Sequence, residues 1–360
     1  NIELGKALTG KVASVQAQFT DTSDELVGTG SRKDAPTLFQ LIFLTFTQPR
    51  ADREIFGVLT SQARAVLGNQ SAQPAFVFQE ALSGALSQDH PRARLMTAER
   101  VDEMNLDKSM AFYKDRFADA GDFTFVFTGT LDLVAMEPLV AQYLGSLPST
   151  GRKETWKDAG IRSPAGVVQR RVEKGLEPQS QTAIVFTGPF GYTQPNRIAI
   201  RAMAQILETR LRERLREDLG GTYSVSAAAT YGKTPREEYA LSISFGSSPD
   251  RTDGLAATVF EQIAAFSASG PTAAELADVK QGMIRALETD MQSNGYLANQ
   301  VAARLQNGEE MAGFFGLRTL YEALTALEIQ EAAKTYLRPD RYVRVSLFPE
   351  KKDTTSAPRR

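Results

Sequence analysis

The sequence has no cysteine and only one histidine, His90, among its 360 residues. The first absence excludes disulfides, thiolate metal sites and cysteine nucleophiles, and is compatible with either cytoplasm or periplasm. The second excludes any zinc site that takes two imidazoles from this chain, and with it both His-Glu-x-x-His and His-x-x-Glu-His. His90 stands in QDHPRAR, just before a proline, and reads as a structural or exposed loop residue. Long apolar runs are missing too. The best candidate, residues 38–46, falls well short of the roughly 18 residues a membrane span needs. It is also interrupted by Gln40 and Thr45. Net charge is −2, so no global field favours nucleic acid or an anionic membrane.

Signatures of other chemistries are equally scarce. There is no Gly-x-Ser-x-Gly elbow and no Ser-x-x-Lys, and a Ser-His-Asp triad would have to be built on His90. Gly28-Thr29-Gly30 lacks the third glycine of a dinucleotide loop and the spacing of a phosphate loop, which leaves a strand-end turn. The acidic pairs Glu237-Glu238 and Glu309-Glu310 are adjacent, so each pair points apart and reads as solvated surface.

What is present is an ordinary globular composition, 42% hydrophobic, in a chain long enough for two domains. Alternation predicts strands at 11–18 and 25–29. Helices are expected from about 35 to 48, over 52–67 and 76–87, and over 106–117. A strand follows at 123–127 (FTFVF), then a helix at 131–144. Residues 149–166, rich in proline, glycine and charge, read as a linker. Beyond it, strands are expected at 167–172, 181–186, 222–230, 239–245 and 342–348. Helices are expected at 195–219, 251–268, 272–293, 296–306 and 327–336. Thr272 and Glu275 have the spacing of a capping box.

The two parts look like a degenerate repeat. LDKSMAFYKDRFADAGDFTFVF and LEIQEAAKTYLRPDRYVRVSLF share a helix, an aromatic near its end, a short turn and a terminal strand. The expectation is an α+β fold of two homologous domains, each an antiparallel or mixed sheet packed against helices. The first would cover 1–148 and be incomplete at its N-terminus. The second would cover 167–350, with a flexible tail at 351–360.

The most informative stretch is TRLRERLREDLGGTYSV, residues 209–225. Leu207, Leu211 and Leu215 recur at i, i+4 and share one helix face, while arginines and glutamates fill most other positions. Gly220 and Gly221 stop the helix, and a strand follows. Arg216 and Tyr223 bracket the turn, and a reversal there can bring both toward one place. Arg210, Arg212 and Arg214 are expected mainly to pair within the helix.

This stretch resembles the Arg/Tyr motif of pitrilysin- and insulinase-type zinc metallopeptidases, the inverzincins, in their non-catalytic C-terminal half. Leu215, Arg216, Glu217, Tyr223, Ser224 and Val225 occupy the matching places, and a looser likeness runs from about residue 9 to 349. The resemblance implies a clamshell of two halves, with zinc held by a partner N-terminal half and no metal or cofactor in this chain. Arg216 and Tyr223 would reach across to a peptide substrate and stabilise its transition state. It also implies the bacterial periplasm or cell envelope, while the charge balance and the lack of a long apolar run point to neither a nucleic-acid partner nor a membrane span. The alternative is a catalytically silent homologue acting as a peptide-binding or scaffold subunit.

Overall fold

The computed structural model describes residues 2–218 and 222–351, with only the backbone described at 2, 216–218 and 222–223. The chain forms two compact units, each gathered from separated stretches. The first takes Asn1–Arg64, Ala98–Lys157 and Ser293–Gln306; the second takes Ala65–Thr97, Asp158–Gln292 and Asn307–Arg360.

In the first unit, β1 (Ala13–Phe19) and β2 (Asp24–Gly30) form an antiparallel hairpin, with Ala13 opposite Gly30 and Phe19 opposite Asp24. Gly28 and Gly30 lie within this ladder, where an added Cβ would come within 3.2 Å of Leu38. Close approach of the helix Ala35–Thr47 is therefore what these glycines allow. The core is aromatic. Phe46 lies edge-on to Phe117 at 5.1 Å and to Phe123 at 4.9 Å, and Phe39 stacks on Phe127 at 5.2 Å. Tyr113, on the helix Leu106–Arg116, stacks on Phe117 and donates its hydroxyl to the Thr45 carbonyl at 3.0 Å.

One expectation fails here: residues 123–127 carry no strand. Phe123, Phe125 and Phe127 have the aromatic spacing of a strand, but their rings pack into the core while the backbone joins no ladder. The helix expected over 131–144 also differs. It is α-helical at Leu133–Leu139, contains Pro138, and widens into a π turn at Val140–Leu144. Proline has no N–H to give the preceding turn, so the regular i→i−4 pattern cannot run through it. Short helices at Ile2–Ala7, Ala98–Val101, Ala312–Phe315 and Leu317–Ala323 had no clear periodicity to announce them.

The second unit is built on a five-stranded mixed sheet. Its strands are β3 (Val167–Glu173), β4 (Ser180–Pro189), β5 (Thr222–Gly232), β6 (Glu238–Ser247) and β7 (Tyr342–Phe348). Their order is β3-β7-β4-β6-β5, with β3 and β7 parallel and the other neighbours antiparallel. β4, at the centre, is buried on both faces and reads as a nearly continuous apolar run. β6 instead alternates, with Tyr239, Leu241, Ile243 and Phe245 turned inward. One face is covered by the helix Pro74–Ser87, whose Phe78, Leu82 and Ala85 pack on Ala183, Val185, Val343 and Val345. That burial is why residues 65–97 gather with this unit, although they precede it in sequence. The other face takes the helices Gln194–Arg212, Thr252–Ser269 and Ala326–Tyr336.

Residues 149–164 carry no helix or strand, yet their first part is firmly tied. Asp119, 2% exposed, accepts the hydroxyl and N–H of Thr150, the Arg152 N–H at 2.8 Å and the Gly121 N–H at 2.9 Å. The Thr150 hydroxyl, followed by these backbone donors, holds the Asp119 carboxyl far below its ordinary 3.8. A depressed pKa adds stability that is fully present above 3.8 and fades as pH falls below it. Asp119→Ala should therefore lower the thermal midpoint at pH 7 and speed hydrogen exchange at 149–154. The gap from wild type should narrow when melts are repeated below pH 3.8.

Candidate functional site

The candidate site lies where one helix ends and one strand begins. The helix Gln194–Arg212 starts at Thr193, whose hydroxyl accepts the Asn196 N–H at 3.3 Å, with a proline in its first turn. Ile200, Ala202, Met203, Leu207 and Leu211 are fully buried against the sheet and its companion helices, and Leu215 continues that face at 0% exposure. The i, i+4 leucine row is thus a core stripe. After Arg212 the helix widens into a π turn, Glu213–Asp218, rather than running on regularly as the sequence suggests. Arg216 has its backbone in this turn. Such turns are rare and recur near functional sites.

β5 begins at Thr222 and, among the described residues, is an edge strand whose single ladder partner is β6. Val225 faces Phe245, but Thr222 faces Ser247, so Tyr223 and Ser224 together oppose Gly246. This is a β-bulge, a device that bends an edge strand and re-aims its side chains. Tyr223 sits inside it. The side chains of Arg216 and Tyr223, and the whole of Gly220 and Gly221, lie outside the described residues.

The neighbouring arginines have separate duties. Arg210 does not pair within its own helix as expected: its guanidinium reaches Glu275 at 2.5 and 2.7 Å and the Gly270 carbonyl at 3.0 Å, over the ring of Phe266. Arg212 does pair within the helix, with Glu208 at 3.6 Å. The capping box is present: Glu275 accepts the Thr272 N–H at 2.7 Å, and Thr272 accepts the Glu275 N–H at 3.2 Å.

His90 caps a short 3₁₀ turn, its Nδ1 accepting the Arg92 N–H at 3.2 Å. Glu309 departs from the expected solvated surface: its side chain is 18% exposed and binds Arg197 at 2.7 Å. Arg197 in turn lies over the Tyr192 ring at 4.5 Å, which gives the acid a desolvated partner. Glu237, although exposed, accepts the Tyr192 N–H at 3.2 Å. Among the described residues, no three His, Cys, Asp or Glu side chains converge as metal ligands. The donor set of this chain, with one histidine and no cysteine, does not fit a zinc centre.

The fold is that of M16-type peptidase domains. It superposes on the crystal structure of the periplasmic protease PqqL from Escherichia coli with a TM-score of 0.84 at 21% identity, covering 97% of this chain and 39% of that one. A structure of the peptidase M16 inactive domain from Pseudomonas fluorescens gives 0.79 at 20% identity, covering 97% and 84%. The first half of Escherichia coli PqqL, solved separately, gives 0.69 at 15% identity, covering 93% and 75%.

In sequence, the chain is 24% identical over 306 residues to the probable zinc protease PqqL of Escherichia coli, over 83% of its own length. The chain spans about a third of the length of that relative, 32%. The family model for the peptidase M16 inactive domain matches residues 103–283, half of the chain. The chain therefore belongs to that family.

Arg210 holds the Glu275 carboxyl down at about 2 against an ordinary 4.5, with the Thr272 donors assisting. A depressed pKa adds stability that is complete above 4.5 and is lost as pH falls toward 2. Solvent screening of this part-exposed pair reduces its contribution to about 1–2 kcal/mol. Glu275→Gln should lose that amount at pH 7, and urea unfolding repeated between pH 7 and 3 should show the difference shrinking.

Proposed function

We propose that this chain is the half of an M16 zinc metallopeptidase that holds no metal, closing over a peptide and presenting Arg216 and Tyr223 to it. The observation that carries the reading is the junction itself. The arginine is placed at the end of a helix anchored in the core, and the tyrosine in a bulge at the start of the adjoining edge strand. Membership of the M16 inactive-domain family supports it. One histidine and no cysteine in the chain, with no converging group of possible metal ligands among the described residues, are consistent with it.

A guanidinium offers several fixed donors and a phenol one more. Together they suit the carbonyl at the scissile bond and the oxyanion that develops on it. Zinc would be held by the other half, on the same precursor or a separate chain, and would supply Lewis-acid chemistry there. The role of this chain is to bind, orient and exclude water. Because its donors act only after the halves close, a conformational step gates turnover. The envelope of a bacterial cell is the proposed setting, after the periplasmic relative. Among the described residues no helix is long and apolar enough to cross a membrane.

The test is cleavage of a fluorogenic peptide by this chain alone, by the zinc-bearing half alone, and by both, with and without chelator. Chelator-sensitive cleavage is expected only when both halves are present. Tyr223→Phe and Arg216→Ala should each cut turnover on the order of 10²–10³-fold while zinc content and thermal midpoint stay unchanged. Full turnover in both variants would leave the chain as a peptide-binding scaffold.

A further inference from the structure

Two turns before Arg216 on the same helix stands Glu208, and it touches the strand that carries Tyr223. Its Oε2 accepts the backbone N–H of Ala227 at 3.2 Å, while its Oε1 lies 3.6 Å from Arg212. Ala227 faces Ile243 across the ladder. Since its N–H goes to Glu208, that N–H points away from β6, off the open side of the sheet.

Outward N–H groups on an edge strand have no ladder partner. The bulge at Tyr223–Ser224 interrupts regular pairing immediately upstream, and among the described residues β6 is the strand's ladder partner on its other side. A carboxylate reaching over from the helix gives that open edge a partner at Ala227. Its charge makes the bond to the amide stronger than a neutral acceptor would, and Arg212 orients the carboxylate from its other side.

We propose that Glu208 is a positioning residue: it ties the open edge of β5 to the helix and so fixes the separation at which Arg216 and Tyr223 are presented. The mechanical claim stands on this geometry, and the catalytic consequence rests on the function proposed above. Displacing a reacting group by about 1 Å can cost on the order of 10²-fold in rate. Even partial release of the strand should thus be visible in turnover.

The test uses Glu208→Ala and Glu208→Gln. The side chain is 35% exposed and alanine favours helix, so both variants should fold. Hydrogen exchange of residues 222–232 and peptide cleavage by the assembled halves are measured on each. Glu208→Ala should speed exchange there several-fold with an unmoved thermal midpoint. It should lower kcat on the order of 10–100-fold, leaving KM nearly constant. Glu208→Gln, which keeps an acceptor oxygen, should recover most of both. Unchanged exchange in Glu208→Ala overturns the tie. Unchanged kcat, alongside a crippled Tyr223→Phe, overturns the positioning role. If Tyr223→Phe is itself fully active, the proposed function fails, and exchange alone then decides whether Glu208 holds the strand.

Discussion

The packing of one helix face on one sheet is the constraint from which the rest of the second unit follows. Each fully buried leucine or isoleucine contributes about 1.5–3 kcal/mol, and the helix Gln194–Arg212 buries nine residues. Ion pairs of the part-exposed kind seen here are each worth about 2 kcal/mol at most, and the more exposed ones less. Burial therefore decides where the helix lies, and charges adjust its details. With Leu207, Leu211 and Leu215 all at 0% exposure, the helix cannot roll without exposing a leucine. Its C-terminal end is thereby fixed next to the start of β5, which sits at the edge of the same sheet. A cation placed in a helix's last turn is also favoured by the negative end of the macrodipole, and Arg216 occupies such a place.

Legibility in the sequence followed the range of the interaction. The leucine row and the Thr272–Glu275 box are local patterns, and each could be read from spacings of three or four residues. The mixed sheet against helices was legible as a class, because strand-like and helix-like periods alternate. What escaped depends on distant partners. Nothing near Arg210 announces Glu275, 65 residues away. Nothing near Glu208 announces Ala227, whose N–H it accepts from the adjoining strand. Residues 123–127 misled for a related reason. Aromatic spacing reports which side chains are buried, but a strand also requires a neighbouring backbone, and composition says nothing about that. The π turns are hidden because their composition is that of any helix.

The same distinction separates the two kinds of polar group in this molecule. Asp119 and Glu275 each satisfy donors inside one unit and serve the fold. Their carboxyls are held below the ordinary range by neighbours that stay within reach. His90 has a comparable local duty at its 3₁₀ turn. None of these needs a ligand to explain it, so a perturbed carboxylate is here a sign of structure. The two residues singled out by the motif differ in kind: among the described residues, Arg216 has its backbone in a π turn and Tyr223 has its backbone in a β-bulge.

Under the proposed function, that placement bears on how this chain would act on a peptide. A group that acts across a gap gains nothing from a perturbed pKa, since an arginine is always charged and a tyrosine donates while neutral. It gains from being held at a fixed position when the gap closes. Selection on this chain would then act on geometry: a leucine stripe that keeps the helix from rolling, a bulge that turns the strand, and a carboxylate that keeps the edge from drifting. Each can be altered while Arg216 and Tyr223, the groups proposed above to meet the peptide, are left unchanged in the sequence. Loss of turnover from Glu208, with Arg216 and Tyr223 intact, is the outcome this division of labour requires.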